Sequence, residues 1–347
     1  MARRITKQSD IRNSRVINPR EGLQMYIELR NEVTKSKILK RSYIYYFFIT
    51  CLEFLGFGFF LYQLVIQRNP WLTFFTSLGI AFFSVRIGGL IHDAGHRAIF
   101  RSTKLNDLFG YFCSFIIAFP YSVWRVKHNA HHAHVNEEDE DPDLEIPFSF
   151  TERSYKRNNF FVKVVRKYQV WLYYLLGPLV SFTIRLKSFW FYRKNFTPRL
   201  SVEILLLVFG LAVWYIVPFF IFPFWKALLF FVVINFVGGF YMLNIFAPNH
   251  KGMPQLKKGL KLSFVEHQII TSRNIYGHWL TDYMYLGLNY QIEHHLFPNC
   301  PRNKLHLLTP LIKKFCQKYR LAYTSMSFLD SNRFILSELN AVSQTKK

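Results

Sequence analysis

Apolar residues in this chain are gathered into long blocks separated by polar segments, not spread at the short periods of a soluble domain. Four blocks, residues 44–66, 71–91, 204–222 and 227–247, each approach or exceed the roughly 20 helical residues needed to cross a bilayer. Only Gln67-Arg68-Asn69-Pro70 parts the first two, and only Pro223-Phe224-Trp225-Lys226 parts the last two. Each pair is therefore predicted to be a helical hairpin with a tight turn. Shorter blocks at 105–119 and 170–184 are marginal as spans and are expected to lie in the membrane interface or dip into it. Glu53 falls near the middle of the first span, where a bare carboxylate is costly. It is expected to face the bundle interior, protonated or hydrogen-bonded, in preference to a substrate role.

Composition adds a large aqueous portion to this picture. Of 347 residues 51% are hydrophobic and 38 are Phe, yet the mean hydropathy is only +0.08. The net charge of +23, from 44 Lys and Arg against 21 Asp and Glu, has two readings: phosphate binding, or fixing of membrane orientation. Distribution decides between them. The two tight turns hold two of the basic residues, Arg68 and Lys226, whereas residues 1–43 hold 11, 153–199 hold 11 and 251–347 hold 14. That is the positive-inside pattern, so both termini and the polar segments are expected in the cytosol. A nucleic-acid partner is not expected, and anionic lipid headgroups are the natural partners of the basic surface. The chain then divides into a cytosolic N-terminal segment (1–43), a membrane domain (44–323) and a C-terminal tail (324–347). Residues 1–43 lack the apolar core of a signal peptide, and Lys346 and Lys347 lie too near the end to read as a retrieval signal. Cys51, Cys113, Cys300 and Cys316 form no CxxC pair, which speaks against a disulfide scaffold or a structural zinc site.

The twelve histidines are not randomly placed. His92 and His96 stand four apart at the end of the second span. His128, His131 and His132 form a second cluster, Gln291, His294 and His295 a third, and His250 follows the fourth span. Positions i, i+3 and i+4 share a helix face, so each cluster projects in one direction, as ligands of a shared metal site must. Imidazole suits zinc, copper, iron and nickel; eight imidazoles are too many for one tetrahedral zinc, and two metals are expected. A pair of irons at the mouth of a membrane domain could activate oxygen towards the C–H bonds of a lipid, which redox-inert zinc could not. Asp93 and Glu293 are candidates to orient the ligand rings, with surface acids of no role as the other reading.

The strings HDAGH (92–96), HNAHH (128–132) and QIEHH (291–295) resemble the three histidine boxes of membrane fatty acid desaturases. The context GLNYQIEHHLFP (287–298), then Pro301-Arg302 and KKFCQKYRLAY (313–323), is similar to the acyl-lipid, acyl-CoA and front-end branch, where Gln replaces the first His of the third box. The resemblance runs from about residue 88 to 323. It implies an all-α membrane protein, with four transmembrane helices in two hairpins under a helical cytosolic cap that holds two non-haem irons. It further implies ligands at His92, His96, His128, His131, His132, His250, His294 and His295, with Gln291 in or beside their shell, and a fatty acyl lipid or acyl-CoA as substrate. Asp141 and Asp143 resemble a family pattern after the second box, with a solvated loop the other reading. His134, His267, His278 and His306 fall outside the boxes and are expected to be structural. No His-Pro-Gly-Gly signature of a fused haem domain occurs; electrons are expected from a separate donor of the ferredoxin or cytochrome b5 type. A bacterial inner membrane is favoured over the endoplasmic reticulum. Desaturation is the leading activity, with hydroxylation by the same site as the alternative. A metal transporter fits less well, since transport sites lie near the bilayer midplane.

Overall fold

The computed structural model describes residues 17–150, 160–260 and 262–344. Part of the basic N-terminal segment, together with Arg153, Lys156, Arg157, Lys346 and Lys347, lies outside the described residues. In chain order the helices begin with α1 (Pro19–Lys35), α2 (Tyr43–Ile66), α3 (Pro70–Gly95), α4 (Thr103–Ile116) and α5 (Tyr121–Ala133). There follow α6 (Phe160–Lys167), α7 (Gln169–Leu176), α8 (Val180–Lys194), α9 (Pro198–Tyr215), α10 (Val217–Ile221) and α11 (Phe224–His250). The last are α12 (Phe264–Ile270), α13 (Trp279–Met284), α14 (Gln291–Leu296), α15 (Leu305–Tyr319) and α16 (Phe328–Gln344). The strands β1 (Asn274–Ile275) and β2 (Ser325–Met326) pair in parallel, Asn274 with Ser325. The chain forms two compact units. One comprises Arg41–Val126 and Tyr174–Asn244; the other comprises Met1–Lys40, Lys127–Tyr173 and Ile245–Lys347.

The first unit is the membrane unit. Four helical segments among the described residues are long and apolar enough to cross a bilayer: Tyr43–Ile66, Pro70–Gly95, Leu200–Ile221 and Phe224–His250. All four predicted spans are present, and the last three run beyond their apolar blocks. Asn69 caps α3 by accepting from the Trp71 and Leu72 N–H groups, with Pro70 in the first turn, where no donor is missed. The second hairpin turn is tighter than predicted, because Trp225 and Lys226 already belong to the first turn of α11. The third span is broken after Tyr215: Pro218 has no N–H to offer the preceding turn. The block at 105–119 becomes α4, which joins α5 at a bend of 116°. The block at 170–184 is interrupted by a 3-10 turn at Gly177–Leu179. Between α2 and α3, Glu53 is wholly buried, its two oxygens 2.7 and 2.8 Å from Arg86 Nε. The paired carboxylate answers the cost of its depth.

In the second unit α1 packs through Met25, Leu29 and Val33, the i, i+4, i+8 stripe of an amphipathic helix. It meets Val265 and Ile269 of α12, Ile292 and Leu296 of α14, and Leu308, Ile312 and Cys316 of α15 in one apolar cluster. The short helix α14 is thereby held from several sides. The residues expected as a C-terminal tail contain β2 and α16, whose Ile335 and Leu339 are fully buried and whose Leu339 carbonyl accepts from Gln169 Nε2 at 2.6 Å. They are folded, because α16 carries an apolar stripe that a tail would leave in water.

Candidate metal centre

His92 lies in the last turn of α3 and His96 caps it, their ring centroids 4.7 Å apart. The intervening Gly95 has a steric reason: a Cβ there would come within 2.7 Å of the Trp124 ring. His92 Nδ1 lies 3.2 Å from Asp93 Oδ1, and Asp93 Oδ2 accepts from Tyr46 OH at 2.8 Å. Asp93 thus holds a ring, as expected, and α2 holds Asp93. This pair sits in the membrane unit.

The second unit gathers the remaining predicted site residues: His128, His131 and His132 on α5, His250 at the end of α11, and Gln291, His294 and His295 on α14. His132 Nε2 is 3.2 Å from both His128 Nε2 and His294 Nε2. Alongside, His131, His250 and His295 form a buried group whose ligand atoms all lie within 4.8 Å of one another. Gly287 turns the chain into the third box at φ +76°, where a side chain would be strained, close against Arg302.

The proton positions in the buried group can be deduced from neighbours outside it. His250 Nδ1 faces the carbonyl oxygen of Thr271 at 3.1 Å, so it carries the hydrogen. His295 Nδ1 faces Gln268 Oε1 at 2.8 Å, and that amide is oriented by its own Nε2, which donates to the His132 carbonyl at 3.1 Å. His131 Nδ1 donates to Asp141 at 3.0 Å. Nδ1 therefore bears the proton in each ring, leaving each Nε2 a lone pair. Yet His250 Nε2 and His295 Nε2 approach to 3.1 Å. Two acceptors that close repel; the Gln291 amide, 2.9 Å from His250 Nε2, offers that ring a donor, and a cation between the two nitrogens would satisfy both. Metal–nitrogen bonds of about 2.1 Å at right angles put their nitrogens about 3.0 Å apart, so the donor set fits a metal ion. Imidazole is a suitable ligand for iron.

Electrostatics act unequally on these rings. Burial pushes the His295 pKa well down, helped by neighbouring imidazoles, so its ring stays neutral. Burial also opposes charge on His131, but Asp143 and Asp141 outweigh it and raise its pKa. Burial works against the Asp141 carboxylate in turn, yet His131, Lys251 and the Asp143 N–H hold its pKa below the usual range. Asp141 is 3% exposed and also accepts from Asn136 N at 2.8 Å and Asp143 N at 2.9 Å. It is a fixed support of His131, not part of a solvated loop.

Glu293 behaves differently from expectation. It accepts from Asn274 Nδ2 at 2.6 Å and Tyr323 OH at 2.7 Å, tying α14 to β1 and the segment before β2. Burial raises its pKa, with those two hydrogen bonds pulling the other way. His134 pairs with Glu137 at 2.9 Å, His267 with the Val135 carbonyl at 2.7 Å, His278 caps α13, and His306 lies at the surface. None of these four joins the imidazole cluster. Gln268, Thr271 and Asn249, which support His295, His250 and Gln291, were not singled out by sequence reasoning.

The family profile described as Fatty acid desaturase matches residues 69–327. The chain is 30% identical over 272 residues to Acyl-lipid (9-3)-desaturase of Physcomitrium patens, an alignment taking in 74% of this chain and 51% of that protein. It is 30% identical over 259 residues to Delta(5) fatty acid desaturase fat-4 of Caenorhabditis elegans, with 69% and 56% covered. With Delta(6)-fatty-acid desaturase fat-3 of the same organism the identity is 26% over 347 residues, covering 95% and 77%. The alignments therefore span only about half the length of the first two relatives.

Proposed function

Because the chain belongs to the fatty acid desaturase family, we propose that it is a membrane oxidoreductase that introduces a double bond into a long acyl chain carried by a lipid or by coenzyme A. The names of the relatives, acyl-lipid and Δ5 or Δ6 fatty acid desaturases, support an acyl substrate. Two neighbouring methylenes each lose one hydrogen. Dioxygen takes these two electrons and two protons, together with two electrons and two protons from outside, and leaves as two waters. The outside electrons come from a separate ferredoxin or cytochrome b5-type donor.

The ligand set we propose for two non-haem irons is His92, His96, His128, His131, His132, His250, His294 and His295, with Gln291 in or beside it. Iron supplies the one-electron chemistry with dioxygen that no side chain here can perform. The chain's own part is to hold the donors. Asp141, Gln268 and the Thr271 carbonyl keep the Nδ1 protons of His131, His295 and His250, and so turn three Nε2 lone pairs inward. We place this centre and both termini on the cytosolic side, in a bacterial inner membrane in preference to the endoplasmic reticulum.

The observation that carries the reading is the meeting of two proton-free nitrogens, His250 Nε2 and His295 Nε2, 3.1 Å apart in a buried site. The test is expression in a host lacking polyunsaturated lipids, with fatty-acid profiling and metal analysis of the purified protein. Products lighter by two hydrogens and about two irons per chain are expected. Products heavier by one oxygen would mean hydroxylation instead, and a single zinc with activity indifferent to iron removal would overturn the reading.

A further inference from the structure

The amide of Gln291 has one orientation, and it is fixed from outside the metal centre. Asn249 Nδ2 lies 3.0 Å from the Ile245 carbonyl and 3.0 Å from the Leu288 carbonyl. Both are backbone acceptors, so the atom facing them must be the NH2 group. The same nitrogen lies 3.0 Å from the Gln291 side chain. The NH2 group shares its two hydrogens among three neighbours, and Gln291 turns its Oε1 to Asn249, since its own NH2 there would set donor against donor. Its Nε2 is then directed inward, 2.9 Å from His250 Nε2. Turning the Asn249 amide would set an oxygen against two carbonyl oxygens; turning Gln291 alone would set NH2 against NH2. Both side chains are at least nine-tenths buried, where such losses are not made good by water. Asn249 keeps this orientation even though its own Oδ1 has no hydrogen-bond partner.

An amide coordinates a metal through its oxygen, because its NH2 group is a donor with no acceptor capacity. At position 291 that oxygen is held away from the centre. We infer that Gln291 is not a metal ligand but a hydrogen-bond donor, aimed at the small anionic or oxygen group that occupies the position beside His250 once a metal is bound. Asn249 is the residue that positions it. A histidine at 291 would bring a lone pair to the same place; glutamine brings only N–H groups. The end of α11 therefore supplies a ligand, His250, and the support of a donor, Asn249, in consecutive residues.

This assignment rests on the metal reading above, and its test separates the two. The full chain is purified in detergent, and Co(II) is titrated against a competing chelator in wild type, Gln291→Leu, Gln291→Met and His295→Ala. Azide is then titrated into each Co(II) form and followed by visible absorption. Gln291→Leu should hold Co(II) within about twofold of wild type, while His295→Ala, which removes a ligand, should weaken it about tenfold or more. Azide should bind the Gln291→Leu form about tenfold more weakly than wild type, the scale of one hydrogen bond to an anion. Gln291→Met, close in length to Gln, repeats both arms should the Leu variant fail to fold. Asn249→Ala should weaken azide as well, with Gln291 still in place. Loss of Co(II) from the Gln291 variants to the same degree as from His295→Ala would overturn the assignment alone, as would azide binding that is absent in wild type or unchanged by the substitutions. A wild-type protein that takes up no metal would overturn the reading and this assignment with it.

Discussion

Each of three imidazoles keeps a lone pair turned inward only because something else takes its Nδ1 proton, and Asp141 is the most exacting of these partners. Its two oxygens accept from His131 Nδ1, from Asn136 N and from Asp143 N. An asparagine offers one oxygen and one NH2 group, so it cannot accept from all three and must turn a donor against a donor. Asp141→Asn is therefore expected to lower metal affinity about 10–100-fold, the usual effect of removing the partner of a ligating histidine. His306→Ala, at an exposed position away from the cluster, should leave affinity as it is. Chelator competition measures both, and wild-type affinity in Asp141→Asn would show that the contact does not support the site. The histidines were legible because a helix writes its ligand faces into spacing. Their supports were not. Gln268 and Thr271 lie 27 and 21 residues from the rings they hold, and an amide or a backbone carbonyl leaves no pattern in a sequence. Glu293 misled because adjacency to His294 suggested a contact, whereas on α14 its side chain points to Asn274 and Tyr323.

At the scale of elements the hairpin of α2 and α3 encloses two charges of opposite sign. Glu53 and Arg86 are 0% and 1% exposed, and the guanidinium also lies 5.5 Å from the centre of the Phe82 ring. Removing one partner strands the other. Arg86→Met should cost about 3–5 kcal/mol of stability, much more than the pair contributes relative to an apolar match. Glu53→Leu with Arg86→Met should recover most of that loss. Thermal midpoints in detergent for the two singles and the double decide it; a double variant as unstable as Arg86→Met would mean that packing, not charge, is what matters there. The apolar blocks located all four spans but not their ends. Hydropathy registers side chains, whereas helix limits are set by Asn69, Thr197 and the prolines after them, and the break after Tyr215 by Pro218. Even the buried Arg86 counted against its block and gave no hint of its partner.

For the whole molecule, residues near both ends of the chain pack against segments far from them in sequence. Gln169 meets Leu339, and Met25 shares a cluster with Ile312; periodicity describes single elements and is silent about such distant partners. Orientation is a different matter, because charge is counted segment by segment. Lys226, one of two basic residues in the hairpin turns, is 3% exposed, with its ammonium donating to the Gln67 carbonyl and lying over the Phe222 ring. That leaves Arg68 as the open charge on that side, which sharpens the asymmetry behind the proposed orientation. Among the described residues the bent pair α4–α5 is the one feature that could change the count, since together the two helices would pass for a fifth span. Single cysteines at the exposed positions Arg68, Phe224 and Lys313, in a Cys51→Ala background, distinguish the two cases with a membrane-impermeant maleimide. With four spans, Arg68→Cys and Phe224→Cys label together from outside, and Lys313→Cys labels only from the cytosol. A fifth span between α3 and α9 would move both later positions across, so that Arg68→Cys and Lys313→Cys label from one side and Phe224→Cys from the other. In that event the third box and the N-terminus would lie on opposite sides of the membrane, and the placement of a single cytosolic centre would fall.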